Sequence, residues 1–366
     1  MEENTERRIN MNLKVEFDGI KLDNPLMPAS GPIVGDSEKL LFLQNEGVGA
    51  LVTKTISTKE PHIPRPCIYG DKDYVMNSEL WSEHSLEKWV TEFLPELEAK
   101  RDRPLIISVG YTKEDMEILI PQLDKYADAF EVSTHYVGTD LSVIANTVKT
   151  IKKHTDKPVY MKISPHIPDP IGFAKAVRDA GASGLVAINS LGPTMKINLK
   201  EKRIMYAPES GFVWTSGPVI KNLALATVYN IKQALPDFTV IGVGGIKSAE
   251  DVIEFLLAGA DAVQMLSGAL LKGKDLYKRI IKKLPKTLEK YGFSSIEDVK
   301  NTGLLNPVTY EPRVPLLIEE KCTKCELCVR VCPYFAIELK DKITFDSDKC
   351  FGCGLCISKC PTKALK

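Results

Sequence analysis

Cys322-Thr-Lys-Cys325-Glu-Leu-Cys328-Val-Arg-Val-Cys332-Pro333 and, further along, Cys350-Phe-Gly-Cys353-Gly-Leu-Cys356-Ile-Ser-Lys-Cys360-Pro361 are two copies of one spacing. They take up all but one of the nine cysteines. Three thiolates, each separated by two residues, can wrap one corner of a cubic [4Fe–4S] cluster, while the fourth, set before a proline, reaches the neighbouring cluster. The spacing therefore groups Cys322, Cys325, Cys328 and Cys360 on one cluster, and Cys350, Cys353, Cys356 and Cys332 on the other. A zinc ribbon uses two Cys-x-x-Cys pairs and has no need of four cysteines plus proline, twice over. Disulfides need an oxidising compartment, for which the sequence gives no sign. Residues 316–366 are expected to form a small domain around two iron–sulfur clusters.

Upstream, Asn306–Pro315 carries three prolines and no period, and reads as a linker. Before it the pattern changes. Short apolar, β-rich runs alternate with amphipathic helical stretches. The runs are Leu26–Ser30, Ala50–Thr55, Leu105–Gly110, Ala129–Thr134, Val159–Ser164, Gly184–Asn189, Thr239–Gly245 and Ala262–Ser267. Helical periods fall between them, at Ser37–Glu46, Lys113–Tyr126, Asp140–His154, Pro170–Ala180, Val219–Ala234, Ser248–Ala258 and Lys274–Tyr291. Eight buried parallel strands with intervening helices predict an α/β fold, a closed (β/α)8 barrel over residues 1–305, better than an open sheet. No strand leads into a Gly-x-Gly-x-x-Gly loop, so no dinucleotide-binding unit is expected. Alternation around Asp18-Gly19, within Leu13–Asn24, predicts an amino-terminal hairpin. Two connections, Ile56–Ser85 and Leu191–Ser216, are long enough to be lids or substrate loops over the barrel mouth.

The totals exclude other classes. The chain has 366 residues, enough for about two domains, with 48 basic against 48 acidic side chains. That balance favours neither nucleic acid nor an anionic membrane as partner. Met1–Lys14 mixes acids, arginines and asparagines and has no signal-peptide character. No run approaches the roughly 20 apolar residues of a membrane span. A cytoplasmic location with reduced thiols is expected.

Polar residues collect at the carboxyl ends of the predicted strands, where barrel enzymes keep their active sites: Ser30, Lys54, Ser133, Lys162, Asn189 and Ser267. Gly244-Gly245 after the seventh strand and Ser267-Gly268-Ala269 after the eighth are suited to holding a phosphate through backbone N–H groups. Lys54 and Lys162 both end strands, and a lysine kept dry there needs an anionic partner. A flavin mononucleotide meets both needs, because its phosphate takes the glycine loops and a cation stabilises its reduced ring.

The barrel resembles the FMN-containing dihydroorotate dehydrogenases and the pyrimidine-reducing barrel of the dihydropyrimidine dehydrogenases. The likeness rests on Asn24-Pro25-Leu26-Met27-Pro28-Ala29-Ser30-Gly31, Thr53-Lys54-Thr55, Tyr160-Met161-Lys162-Ile163-Ser164-Pro165, Ile188-Asn189-Ser190, Ser216-Gly217-Pro218, Gly242-Val243-Gly244-Gly245-Ile246 and Ser267-Gly268-Ala269. These recur in family order over residues 13–300 or so. Fusion to a bacterial-type double-cluster ferredoxin domain is most similar to the bacterial dihydropyrimidine dehydrogenase catalytic subunits. The resemblance implies that Ala29, Ser30, Gly31, Lys54, Thr55, Ser133, Lys162, Ser216, Gly217, Gly244, Gly245, Ser267 and Gly268 hold FMN. It also implies that Asn77, Asn189 and Ser190 contact the substrate.

One segment departs from the family. After the fourth strand the family has Asn-x-Ser-Cys-Pro-Asn, where the cysteine moves a proton. This chain reads Ser133-Thr134-His135-Tyr136-Val137-Gly138, and Tyr136 stands in the cysteine's place. The substrate loop reads Asn77-Ser78-Glu79-Leu80-Trp81-Ser82, where the family has a glycine and a second asparagine. Orotate is therefore a doubtful substrate. His135 and Tyr136 are the leading candidates for proton transfer, with Thr134 behind them. Cys67 reads as a small packed residue. His62 and Arg65 share its loop and are either a solvated face or ligands for an anion. Trp81, Trp89 and Trp214 read as packing residues, Trp214 with the option of lining the pocket.

The expected protein is an FMN- and iron–sulfur-dependent oxidoreductase that reduces or forms a carbonyl-conjugated C=C bond in a small, cyclic, pyrimidine-like substrate. Electrons pass through the two clusters to a redox partner, either a ferredoxin or a flavoprotein subunit that binds NAD(P) and FAD. A homodimer or hetero-oligomer is expected from the likeness. The alternative is an electron-transfer subunit of a larger complex whose barrel has lost its own reaction.

Overall fold

The computed structural model describes residues 11–205, 211–308 and 311–366. Met1–Asn10 of the amino-terminal reading, and Thr309 and Tyr310 of the linker, lie outside them. The chain divides into two compact units, Met1–Leu305 and Asn306–Lys366.

In the first unit eight parallel strands follow the apolar runs. They are β1 (Leu26–Pro28), β2 (Leu51–Val52), β3 (Leu105–Val109), β4 (Ala129–Ser133), β5 (Val159–Ile163), β6 (Gly184–Ala187), β7 (Thr239–Val243) and β8 (Ala262–Met265). Their order in the sheet is β1-β8-β7-β6-β5-β4-β3-β2. The ends of that sheet meet where Gly49 N–H donates to the Leu26 carbonyl oxygen at 2.9 Å. A Cβ on Gly49 would stand 2.1 Å from the Asn24 carbonyl oxygen, so the barrel can close only over glycine. The fold is an α/β barrel.

Helices alternate with these strands: α1 (Ser37–Asn45), α2 (Leu94–Lys100), α3 (Lys113–Leu123), α4 (Ser142–Lys152), α5 (Pro170–Asp179), α6 (Lys221–Ala234), α7 (Ala249–Leu257) and α8 (Leu276–Lys290). Side-chain oxygens of Asp36, Thr112, Asp169 and Ser248 accept N–H groups in the first turns of α1, α3, α5 and α7. These bonds satisfy donors that the helix itself cannot, which sets where each helix begins. Strands β3 to β8 are buried along their whole length, as expected of strands covered on both faces. Among the described residues no helix is long and apolar enough to cross a membrane.

Two additions shape the ends of the barrel. The hairpin Val15–Phe17/Ile20–Leu22 turns through Asp18 and Gly19, both with positive φ, and buries Val15, Phe17, Ile20 and Leu22. It caps the amino-terminal end of the strands. There the Phe17 ring lies 5.9 Å from that of Tyr160, and the Tyr160 hydroxyl donates to Asp18. At the opposite end the two long connections pair with each other. Leu191–Thr194, Val213–Ser216, Val75–Asn77 and Ile68–Gly70 form one antiparallel sheet, with Asn77 opposite Trp214.

The second unit shows its internal repeat in the backbone. Lys324 and Gly352, Glu326 and Gly354, and Phe335 and Lys363 hold equivalent places in the two copies, and all six have positive φ. Each copy then forms a short helix, Leu327–Val331 or Leu355–Lys359, ahead of its fourth cysteine. A hairpin, Ile337–Leu339/Ile343–Phe345, and a bridge between Leu317 and Leu365 complete the unit.

Candidate active site

A cavity of about 380 Å³ opens at the carboxyl ends of the strands. That is within the range of small-molecule sites, and it lies where barrel enzymes hold their ligands. Lys162 and Gln264 line its floor and both bond to Glu131 behind them. Lys162 on β5 donates to Glu131 on β4 at 2.9 Å, and Gln264 on β8 donates to the other Glu131 oxygen at 2.7 Å. Glu131 and Gln264 are wholly buried. A carboxylate there persists only because both of its oxygens are answered. Gln264 Oε1 is buried without a partner and borders the cavity, so an acceptor stands ready for a ligand N–H.

One side of the cavity is backbone and hydroxyl. Ala29, Ser30 and Gly31 follow β1, Gly244 and Gly245 follow β7, and Ser267 and Gly268 follow β8. Gly245 has φ +84°, and a Cβ on it would lie 2.7 Å from Lys221 Cβ and 3.0 Å from the Gly217 carbonyl oxygen. The loops thus touch through bare backbone, leaving a cradle that side chains would fill. Hydroxyls tie the loops together, Ser216 to Ser267 at 2.7 Å and Ser30 to Thr55 at 3.0 Å. Cradle, buried lysine and orphaned acceptor fit a flavin mononucleotide: phosphate on the glycine side, and a cation and an acceptor for the ring.

The other side is made of side chains from the loops after β2, β3 and β4. Lys54 is almost wholly buried. Its ammonium is held between Glu83 at 2.6 Å and Glu79 at 3.3 Å. Burial is the largest single influence on the Glu83 carboxyl and pushes it up, but the Lys54 hydrogen bond and charge, with a backbone hydrogen bond and the His84 charge, together bring the net shift downward. The second Glu79 oxygen is buried and has no partner. Asn77 accepts the Glu79 N–H at 2.6 Å, which leaves its amide N–H groups for a ligand. Asn189 accepts the Ser190 N–H at 2.8 Å and donates weakly to Ser133. Trp81, Tyr111 and His135 form an aromatic wall, with ring centroids 5.0 Å apart for the first pair and 5.3 Å for the second. Surrounding protein, and then the nearby Lys162 charge, hold the His135 imidazole below its ordinary value of 6.5.

The cysteine unit has two small cavities. One is lined by Cys322, Cys325, Cys328 and Cys360, the other by Cys332, Cys350, Cys353 and Cys356. Backbone N–H groups of Ala364 and Ala336 donate to the sulfurs of Cys360 and Cys332. Among the described residues no three such side chains converge tightly enough for a lone metal ion. Each group of four sulfurs surrounds a space, which suits a cluster.

A family profile for dihydroorotate dehydrogenase matches residues 12–288. The chain belongs to the dihydroorotate dehydrogenase family. A second profile, for a 4Fe–4S dicluster domain, matches residues 321–364. The chain is 36% identical to the dihydroorotate dehydrogenase B (NAD(+)) catalytic subunit of Pyrococcus horikoshii over 304 residues, which cover 80% of this chain and 98% of that protein. Its counterpart in Oceanobacillus iheyensis is 34% identical over 79% of this chain and 97% of that protein. The protein is thus an FMN oxidoreductase of the dihydroorotate dehydrogenase type, a family that acts on CH–CH bonds, with a carboxyl-terminal 4Fe–4S domain of ferredoxin type.

Against this family frame the expected residues sort themselves. The thirteen expected cofactor residues all border the cavity, as do Asn77, Asn189 and Ser190. Of the proton-transfer candidates, His135 borders it, while Tyr136 and Thr134 do not. The Tyr136 hydroxyl donates to the Asp140 carbonyl oxygen at 2.6 Å, and Thr134 accepts the Tyr136 N–H. His62 and Arg65 are exposed and stand off the cavity; Cys67 is half-buried, its thiol pushed up by burial and then by Glu79. Trp89 is core packing, whereas Trp81 and Trp214 both line the cavity.

Sequence reading passed over Glu131 and Gln264. Yet each is a polar residue at an inward position of an otherwise apolar strand run, and that pattern would have found them. Tyr111 and the pairing of Lys54 with Glu79 and Glu83 left no comparable local signal.

Proposed function

We propose that this protein interconverts a C=C bond conjugated to a carbonyl and its saturated form, in a small, uncharged, N–H-bearing ring. Bound FMN would supply hydride exchange at one carbon of that bond and single-electron transfer onward. The glycine loops and Lys162 would hold it. His135 gives or takes the proton at the neighbouring carbon. Being neutral near pH 7, it is ready to act as the base in dehydrogenation, and it must first take up a proton to serve reduction.

The observation that carries this reading is the charge around the substrate side. On that side Lys54 is answered by both Glu79 and Glu83, which leaves one negative charge in excess. Among the described residues no arginine lines the cavity. A substrate carboxylate, as on orotate, would find no free cation there. A ring N–H would find the unpaired Glu79 oxygen, and a ring carbonyl the Asn77 amide. Unmet polar groups of this kind discriminate strongly between substrates.

In the second unit, Cys322, Cys325, Cys328 and Cys360 would hold one [4Fe–4S] cluster, and Cys332, Cys350, Cys353 and Cys356 the other. They would link the barrel to a separate redox protein, a ferredoxin or an NAD(P)- and FAD-binding flavoprotein subunit. The relatives' description as catalytic subunits supports such a partner.

The test is anaerobic. The photoreduced protein is mixed with uracil, thymine or orotate, and flavin reoxidation is followed by absorbance. Rapid reoxidation by an uncharged ring and little by orotate is expected. Preference for orotate would overturn the charge argument, and silence with every ring would favour a relay subunit without its own reaction.

A further inference from the structure

We infer that Tyr111 is a positioning residue for His135, clamping the imidazole in a three-ring stack drawn from three successive barrel loops. The inference rests on the reading of His135 as the proton-moving group.

The stack is assembled with care along its length. Trp81, after β2, has its indole N–H fixed on the Lys59 carbonyl oxygen at 2.5 Å, and its ring meets Tyr111 edge to face at 63°. Tyr111, after β3, lies nearly parallel to His135, with 29° between the planes. These are the offset and edge-on arrangements that aromatic rings prefer. His135, after β4, reaches the stack with φ +50°, a left-handed conformation that a histidine adopts only at a cost. Strain of this kind persists where the surroundings over-determine it, and it gathers at functional positions.

A carboxylate holds the stack from below. Asp115 in the first turn of α3 accepts the N–H groups of Tyr111 at 3.1 Å and Thr112 at 3.0 Å, and also the hydroxyl of Thr58 in the loop after β2. One side chain therefore fixes two of the three loops. The third is tied by the Tyr136 hydroxyl on the Asp140 carbonyl oxygen. Tyr111 is half-buried, and burial raises its phenol well above the ordinary range, so it stays neutral and acts through its face.

The consequence is a histidine with one face covered and the cavity in front of it. The stacked face is kept from water while the rest of the exposed ring is open to solvent, and partial desolvation acts in the same direction as the Lys162 charge. Fixing the plane aims a ring nitrogen at one point in the cavity. Misplacing a catalytic group by about 1 Å costs on the order of 10²-fold in rate.

The experiment uses the full chain with labelled histidine. Tyr111→Leu removes the stacking face, Tyr111→Phe keeps it, and Trp81→Leu frees the far side of Tyr111 without touching His135. The His135 titration is followed by nitrogen NMR, and the pH dependence of turnover is measured in parallel. Tyr111→Leu is expected to move the titration up towards 6.5 and to lower kcat on the order of 10²-fold with a smaller change in KM. Trp81→Leu moves the titration the same way by less, and Tyr111→Phe leaves it in place. An unmoved titration in properly folded Tyr111→Leu and Trp81→Leu overturns the positioning role. If the titration moves and the pH profile does not follow, the clamp stands and the assignment of His135 as proton carrier falls instead.

Discussion

The two sides of the barrel-mouth cavity are built from different material. The side after β1, β7 and β8 is mostly backbone, with Gly31, Gly244, Gly245 and Gly268 bringing main chain up to the ligand space. The side after β2, β3 and β4 is side chain, with Lys54, Glu79, Trp81, Tyr111 and His135 reaching in from loops. A backbone surface suits a phosphate and is indifferent to what lies opposite. Side-chain surfaces can be exchanged while the barrel stays intact, because loops carry specificity on a fixed scaffold. On the proposed reading, the backbone side would keep the cofactor and the side-chain wall would meet the substrate, so the two could vary independently.

The sharpest way to break that comparison is His135→Asn. If the side-chain wall carries the proton transfer, turnover falls by about 10²–10⁴-fold while flavin retention is unchanged. The pH profile gives a second check. The folded imidazole titrates below 6.5, so dehydrogenation, which needs the neutral ring, declines only as pH falls through a value under 6.5. Reduction, which needs the protonated ring, rises over the same interval. His135→Asn should erase both limbs. A variant that keeps its limb would move the proton elsewhere.

Lys162→Met probes the junction between the two sides. It leaves Glu131 buried in the barrel with only Gln264 as partner. Removing one member of a buried pair costs about 3–5 kcal/mol, read from the denaturant midpoint. Lys54→Met leaves Glu79 without its lysine, but Glu79 is 13% and Glu83 36% exposed where Glu131 is wholly buried, so the cost should be smaller. Equal losses would mean that the two lysines sit in equivalent surroundings.

Sequence reading succeeded or failed along the same divide. The barrel was legible because buried strands declare themselves as apolar runs at regular spacing. The glycine and lysine positions were legible because they close those runs. The wall was not, because its contacts join residues far apart in sequence. Asn77 and Trp214 sit opposite one another in a sheet made from two separate insertions, and neither insertion alone carries a strand signal. Lys54 was read as a cation in need of an anion. The anion expected there was the flavin, but the lysine's partners in the fold are Glu79 and Glu83 from the chain itself. Likewise Trp81 was read as packing. Its ring does pack, but against Tyr111 at the edge of the cavity.

Tyr136→Phe has the smallest expected effect and draws the finest line. The sequence likeness puts Tyr136 where a cysteine is expected, and from sequence it competes with His135 for the proton. In the fold its hydroxyl is committed to the Asp140 carbonyl oxygen, and the residue does not border the cavity. Removing that oxygen should cost the one hydrogen bond, about 0.5–1.5 kcal/mol in stability. Turnover and its pH limbs should stay as they are. A loss of turnover near that of His135→Asn, with the histidine's titration intact, would return the proton to Tyr136. It would also mean that this loop turns over during catalysis to bring the phenol inward. Unchanged turnover leaves Tyr136 as a residue that only ties the loop, with the proton carried by the adjacent His135, whose ring stacks on Tyr111.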